Sequence, residues 1–279
     1  MKIVQSHEKI SMLATELLAV FAVDTASSKA PAKPGEEPKP QISLLTTDKA
    51  VLAATTTVLE GGEFKGGMNE VLLLHAPDGL AAKRLLIIGL GKAAKVAVHD
   101  YRKAAGTVVR FTKPRGIRDM AIAAPAVDKR AGWVALPPGP CIQAITEGAL
   151  LADFDSDTYR SDRKDQSIQS LTIVSAKADR AAADTAVLEG TILAEAQNFA
   201  RSLVNEPGNV LTPTVLGERA AAMAAEVGLK SEVYSTEKLQ ELKMGAFLAV
   251  AQGSEQPPAL IVLTYTPENA PANGPVLGL

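Results

Sequence analysis

The sequence predicts an α/β protein, and three observations carry that prediction. Short continuous apolar runs alternate with segments whose apolar residues recur every three or four positions, the pattern of strands interleaved with helices. Alanine is abundant and aromatic residues make up 4% of the chain, a composition that leans towards helix-rich α/β architecture. Hydrophobic residues fill 47% of 279 positions, enough for packed cores in one large domain or two ordinary ones.

Residues 1–4 and 17–23 read as strands, the second a continuous apolar run of the kind buried on both faces of a sheet. With Glu16 directly before it, that run is too short to span a membrane and wrongly placed for a secretory signal. Residues 25–40 hold four prolines and no large apolar residue, which predicts a solvated loop; a docking-peptide reading needs a partner domain that nothing here names. A helix over 48–59 ends at Gly61 and Gly62, and strands follow at 70–74 and 84–88.

Gly89, Gly91 and Ala94 then fit the loose G-x-G-x-x-G/A pattern, in which a close turn after a strand leaves amides to meet phosphate. The third position is alanine, however, and no acidic residue closes the next strand before Asp128. Packing is therefore the stronger reading, and the spacing of a P-loop is missing altogether. A helix over 99–111 and a strand over 120–124 continue the alternation, so parallel crossovers are expected. Pro137, Pro138, Gly139 and Pro140 break the chain, after which Ile142, Ile145 and Ala149 line a helix reaching about 152.

Asp153, Asp155 and Asp157 alternate like the start of a calcium loop. Thr158 stands where the turn needs glycine and Lys164 where a bidentate glutamate is needed, so a solvated charged loop leading to a strand over 171–175 is expected instead. Leu188, Ile192, Ala196, Phe199 and Leu203 line one face of a long helix that Asp184 caps and that ends at Asn205. Pro207 biases Glu206 away from helix, and Pro207-Gly208 suits the centre of a type II turn. Thr212 and Pro213 open the next helix, with Leu216, Ala220, Met223 and Val227 as its stripe and Gly228 as its C-cap. A short strand at 232–234, a short helix capped by Thr236 and a turn over 253–258 precede the run 259–265, the clearest buried strand of the second half. After a polar loop, 275–279 begins another apolar strand. Two strands of real length after the hinge make an unfinished sheet, which predicts a truncated chain.

Direct searches for chemistry return little. Twenty-nine basic and 31 acidic residues give a net charge of −2, so no global field favours nucleic acid or anionic membrane. A single cysteine, Cys141, excludes an internal disulfide framework and suits a reducing compartment. Its place at the start of an amphipathic helix favours a structural role over a nucleophile paired with His7, His75 or His99. There is no G-x-S-x-G, no H-E-x-x-H and no cysteine pair for zinc, and Met223 and Met244 read as core filler. Arg102, Lys103, Arg110, Lys113 and Arg115 cluster without interleaved aromatics, a solvated face first and a nucleic-acid patch second.

One resemblance goes further. Ala200, Arg201, Leu203, Asn205, Pro207, Asn209, Thr212 and Pro213 match the hinge of the leucyl (cytosol) aminopeptidases. The likeness continues through Met244, Gly245, Val250, Ala251, Gln252, Gly253, Ser254, Pro258, Leu263, Thr264 and Tyr265. Upstream it includes Leu90, Gly91, Lys92, Glu147, Gly148, Ala149 and Leu150. The resemblance implies an N-terminal macro-like mixed sheet flanked by helices over 1–178 and a connecting helix over 179–204. The incomplete start of an α/β aminopeptidase catalytic domain then follows over 205–279.

It also implies a cytoplasmic metallo-exopeptidase that releases leucine-like residues from peptides with a free N-terminus. Two divalent metal ions, Mn or Zn, would be its cofactors, and a homohexamer its assembly, helped by the N-terminal domain. Membrane association is not expected, and DNA binding, which some members show, is not favoured. The family's metal-binding and catalytic motifs are absent from these 279 residues. No catalytic, cofactor-binding or metal-binding residue is assigned, and the chain alone is expected to be inactive. Asn205, Pro207 and Asn209 take over the family's hinge turn as scaffold. The alternative reading is a macro-like module that binds a nucleotide or ADP-ribose at the Gly89 to Ala94 turn, or a DNA-binding assembly module.

Overall fold

The computed structural model describes residues 1–26, 39–126, 136–271 and 273–278, so most of the proline-rich segment lies outside the described residues. The chain forms two compact units, Met1–Phe199 and Ala200–Leu279.

The first unit contains β1 (Lys2–Ser6), β2 (Leu17–Asp24), β3 (Ile42–Leu44), α1 (Lys49–Glu60), β4 (Val71–His75), β5 (Arg84–Lys92), α2 (Val98–Thr112), β6 (Asp119–Ala123), α3 (Pro138–Asp153) and β7 (Ser170–Val174), and then enters α4 (Arg180–Val204). Its strands join one mixed sheet in the order β1-β7-β6-β2-β5-β4, with β3 on the far end of β2. β1, β7, β6, β2 and β5 run parallel; β4 and β3 are antiparallel to their neighbours.

All eight residues of β2 are buried, because helices cover both faces of the sheet and alternate side chains therefore enter two different cores. Leu17, Ala19, Phe21 and Val23 meet Tyr101, Val108, Ile142 and Ile145 of α2 and α3, with the Phe21 and Tyr101 rings edge to face at 5.1 Å. Leu18, Val20 and Ala22 meet Val51 of α1 and Phe64. Asp48 caps α1 by accepting from the Ala50 amide at 2.9 Å.

Three expectations about the helices of this unit need correction. Pro138, Gly139 and Pro140 form the first turn of α3 with Pro137 before it, since proline costs nothing where helical N–H groups have no partner anyway. The long helix starts at Arg180, so Asp184 is an exposed interior position of α4 and not its cap. The face of α4 is also inverted. Leu188, Ile192, Ala196 and Phe199 lie exposed, and the buried stripe is Ala183, Ala186, Gly190 and Ala194. A Cβ on Gly190 would stand 2.7 Å from the Gln143 carbonyl oxygen of α3, an approach that only small residues permit.

The second unit holds α5 (Pro213–Val227), β8 (Lys230–Tyr234), α6 (Thr236–Glu241), α7 (Gly245–Ala251) and β9 (Leu260–Thr264). Thr212 caps α5 by accepting from the Val215 amide at 3.3 Å, and Gly228 ends it in the left-handed region at φ 75°. β8 and β9 pair antiparallel as a two-stranded sheet. β9 is half-buried to exposed, where its apolar run had predicted burial. Among the described residues, the buried hydrophobic side chains of this unit are Ala220, Ala224 and Leu239.

Candidate functional site

The glycine segment is not a phosphate turn. β5 runs through it to Lys92, so Gly89 and Gly91 sit inside a strand. Gly89 exchanges hydrogen bonds with the neighbouring segment, its amide donating to Glu70 at 2.8 Å and its carbonyl accepting from Asn69 at 2.9 Å. The Gly91 amide donates to Gly66 at 2.9 Å. A Cβ on Gly89 would lie 2.1 Å from the Gly67 carbonyl oxygen, which is why glycine stands there. The amides of Gly89 and Gly91 are thus already used within the chain.

Lys92 has a local role. Its ammonium pairs with Asp24, whose Oδ1 also accepts from the amides of Ala26 at 2.8 Å and Gln41 at 3.0 Å. One carboxylate thus joins the backbone at Ala26 to the backbone at Gln41. Burial alone would raise the Asp24 pKa, but the hydrogen bonds from Lys92 and the two amides outweigh it and hold the carboxyl below the usual range.

The aspartate run expected to be a solvated loop is an ion-pair cluster around a buried lysine. Lys113 is 3% exposed and donates to the Asp153 carbonyl at 2.7 Å, with its ammonium 3.3 Å from the Asp153 carboxylate and paired with that of Asp155. Arg110 reaches Asp155 at 3.0 Å, and the Ile168 amide donates to Asp153 at 3.1 Å. Other members of the basic cluster are engaged as well: Arg102 pairs with the buried Glu147, Lys103 lies 3.7 Å from Asp100, and Arg115 stacks on the Phe111 ring at 3.6 Å. Carboxylates facing Arg102, Lys103, Arg110 and Lys113 offset much of this cluster's charge, which weakens the nucleic-acid reading.

Cys141 is fully buried, and burial pushes its thiol up to about 12, so the structural reading of this residue holds. Among the described residues there is no group of three or more His, Cys, Asp or Glu side chains able to hold a metal ion. No described helix is long and apolar enough to cross a membrane.

A cleft of about 1290 Å³ opens in the first unit beyond the carboxyl ends of β1, β6 and β7. Its polar lining includes His7, Lys9, Thr47, Ser175 and Lys177, with the His7 Nδ1 atom 3.2 Å from the Ser175 hydroxyl. Carboxyl ends of strands are where open α/β sheets expose residues to ligands. Spacing gave no warning of this cleft, because its residues come from five segments spread between His7 and Asp179.

In the second unit, the hinge turn is one residue later than expected. The Pro207 carbonyl accepts from Val210 at 2.8 Å and Leu211 at 3.0 Å, so Gly208 and Asn209 form the centre. Neither has positive φ, which excludes the type II geometry. Asn205 donates to the Arg201 carbonyl at 2.7 Å, and Arg219 pairs with Glu206 at 3.0 Å. The Asn205 contact braces the neighbouring backbone, in keeping with a scaffold role; the Arg219 pair, 13 residues away in sequence, carries no local signal.

Comparison with known proteins follows the same division. The model of the cytosol aminopeptidase family, N-terminal domain, matches residues 32–163, and that of the family's catalytic domain matches residues 198–277. A probable cytosol aminopeptidase of Acidobacterium capsulatum is 53% identical over 271 residues, covering 97% of this chain and 52% of the relative. One from Koribacter versatilis is 42% identical and covers 100% of this chain and 54% of the relative. The chain spans about half the length of these relatives. Among solved structures, the bottromycin maturation enzyme BotP in complex with Mn is 26% identical with a TM-score of 0.67, over 91% of this chain and 46% of that one. A mutant tomato leucine aminopeptidase, at 23% identity and a TM-score of 0.70 over 94% and 50%, shares the fold.

Proposed function

The chain belongs to the cytosol aminopeptidase family, and on that premise we propose that a protein carrying it together with the relatives' remaining length is a metallo-exopeptidase. The activity would be release of leucine-like residues from the free N-terminus of peptides, in the cytoplasm, by a homohexamer. The observation that carries this reading is the catalytic-domain match over residues 198–277, supported by the 53% identity to a relative called a probable cytosol aminopeptidase. Two divalent ions, Mn or Zn, would be the cofactors; the named Mn complex of BotP supports metal dependence. Their ligands would lie in the length this chain does not span, and residues 1–178 would serve assembly, followed by a connecting helix over 179–204.

Hydrolysis of leucine p-nitroanilide tests the proposal. The longer protein should turn it over with added Mn or Zn and stop on chelation, while the 279-residue chain alone should not. A longer protein without turnover under either metal would overturn the reading.

The cleft of the first unit favours a second reading, small-molecule binding beyond the strands' carboxyl ends. Calorimetric titration with ADP-ribose and NAD tests it, and no heat at millimolar ligand removes it.

A further inference from the structure

The two edges of the sheet in the first unit differ in chemistry. β1, at one edge, carries Lys2, Gln5 and Ser6, and charged or polar side chains of this kind discourage a further strand. β4, at the other edge, reads Val-Leu-Leu-Leu-His, is half-buried from Val71 to Leu74, and has no strand beyond it among the described residues. Glu70, immediately before β4, is turned back on its own chain, where its carboxylate accepts from the amides of Lys65 at 3.0 Å and Gly67 at 2.7 Å. Pairing with β5 also settles which main-chain groups of β4 are free. At the two ends of the ladder the Glu70 carbonyl accepts from Gly89 at 2.8 Å and the Ala76 amide donates to Lys83 at 3.0 Å. Alternation between those ends turns Leu72 and Leu74 to β5 and leaves the N–H and C=O groups of Val71, Leu73 and His75 facing the open edge.

We infer that this edge pairs with the β4 edge of a second copy of the chain, antiparallel about a two-fold axis at Leu73. The occupant follows from the symmetry of the free groups. Rotation about Leu73 exchanges Val71 with His75, so each outward donor meets an outward acceptor and about six main-chain hydrogen bonds close the contact. The side chains agree with that symmetry. Val71 and Leu73 lie against the core that holds Tyr101, and Leu72 and Leu74 against the core that holds Val51. The two-fold sets Leu72 opposite Leu74 on one face and keeps Val71 and Leu73 on the other. Both apolar faces therefore run on across the contact, and no like charges are placed together. This pairing does not depend on peptidase activity.

Sedimentation velocity over a concentration series, with residue-resolved amide exchange at both ends of the series, tests the pairing. The expected result is a reversible dimer in which exchange at Val71, Leu73 and His75 slows by about tenfold or more while β2 is unchanged. Leu73→Pro removes an N–H that β5 does not use, and it should abolish the dimer with β2 still protected. Should that variant fail to fold, His75→Pro, at the exposed end of the strand, should weaken association by about tenfold or more. A chain that stays monomeric throughout, association that leaves these three amides exchanging as before, or association that the folded proline variant retains in full would each overturn the inference.

Discussion

Gly148 shows how a single missing atom sets helix packing. A Cβ there would stand 2.0 Å from the Arg102 carbonyl oxygen, so α2 and α3 could not keep their distance. Gly148→Ala should cost at least about 1–3 kcal/mol, measured by urea unfolding, because backbone blocks the added methyl and no flexible side chain can yield. Lys113 is the electrostatic counterpart. Lys113→Met should cost about 3 kcal/mol at pH 7, because Asp153 and Asp155 would lose the cation that compensates their partial burial. Burial raises the Asp155 pKa, but hydrogen bonding and charge from Lys113 and Arg110 outweigh it and hold it below the usual range. A lowered carboxyl pKa contributes stability above the unfolded value near 4 and loses it as pH falls through the folded value. Urea midpoints of the unchanged protein should therefore hold steady down to about pH 5 and fall below about pH 4, with a smaller fall in Lys113→Met.

At the scale of the element, α4 separates hydropathy from packing. Its large apolar stripe and its small-residue stripe both repeat at helical spacing, and a reading weighted by hydrophobicity selects the large one. The structure buries the small one because α3 approaches closely enough to touch backbone at Gly190. Leu188→Glu should change stability by less than about 0.5 kcal/mol, whereas Gly190→Leu should cost at least about 2 kcal/mol; thermal unfolding of the two variants decides which face packs. β5 carries a related lesson. Its glycines matched a ligand-binding pattern, but the contact they permit is with the chain's own residues 66–70, and that partner is invisible to a pattern counted along one strand. β2, by contrast, was recognisable as a two-sided interior strand, since eight buried positions leave no alternation for solvent to impose.

For the molecule as a whole, the two units differ in what stabilises them. The first contains both apolar cores described above, whereas the second buries few apolar side chains among its described residues. Native-state hydrogen exchange should therefore find the slowest amides in β2 and β5. Those of α5, β8 and β9 should exchange at least about a hundredfold faster, and equal protection in the two units would contradict this. By itself the sequence determined the order and type of most elements and the family. Those properties follow from local backbone geometry and residue spacing, which the chain displays one position after another. Only the tertiary structure decided which stripe of α4 turns inward, which carboxylates surround Lys113 and what the glycines of β5 accommodate. Each of those outcomes depends on a surface brought into contact from distant sequence, and close approach and charge pairing act only once that surface is present.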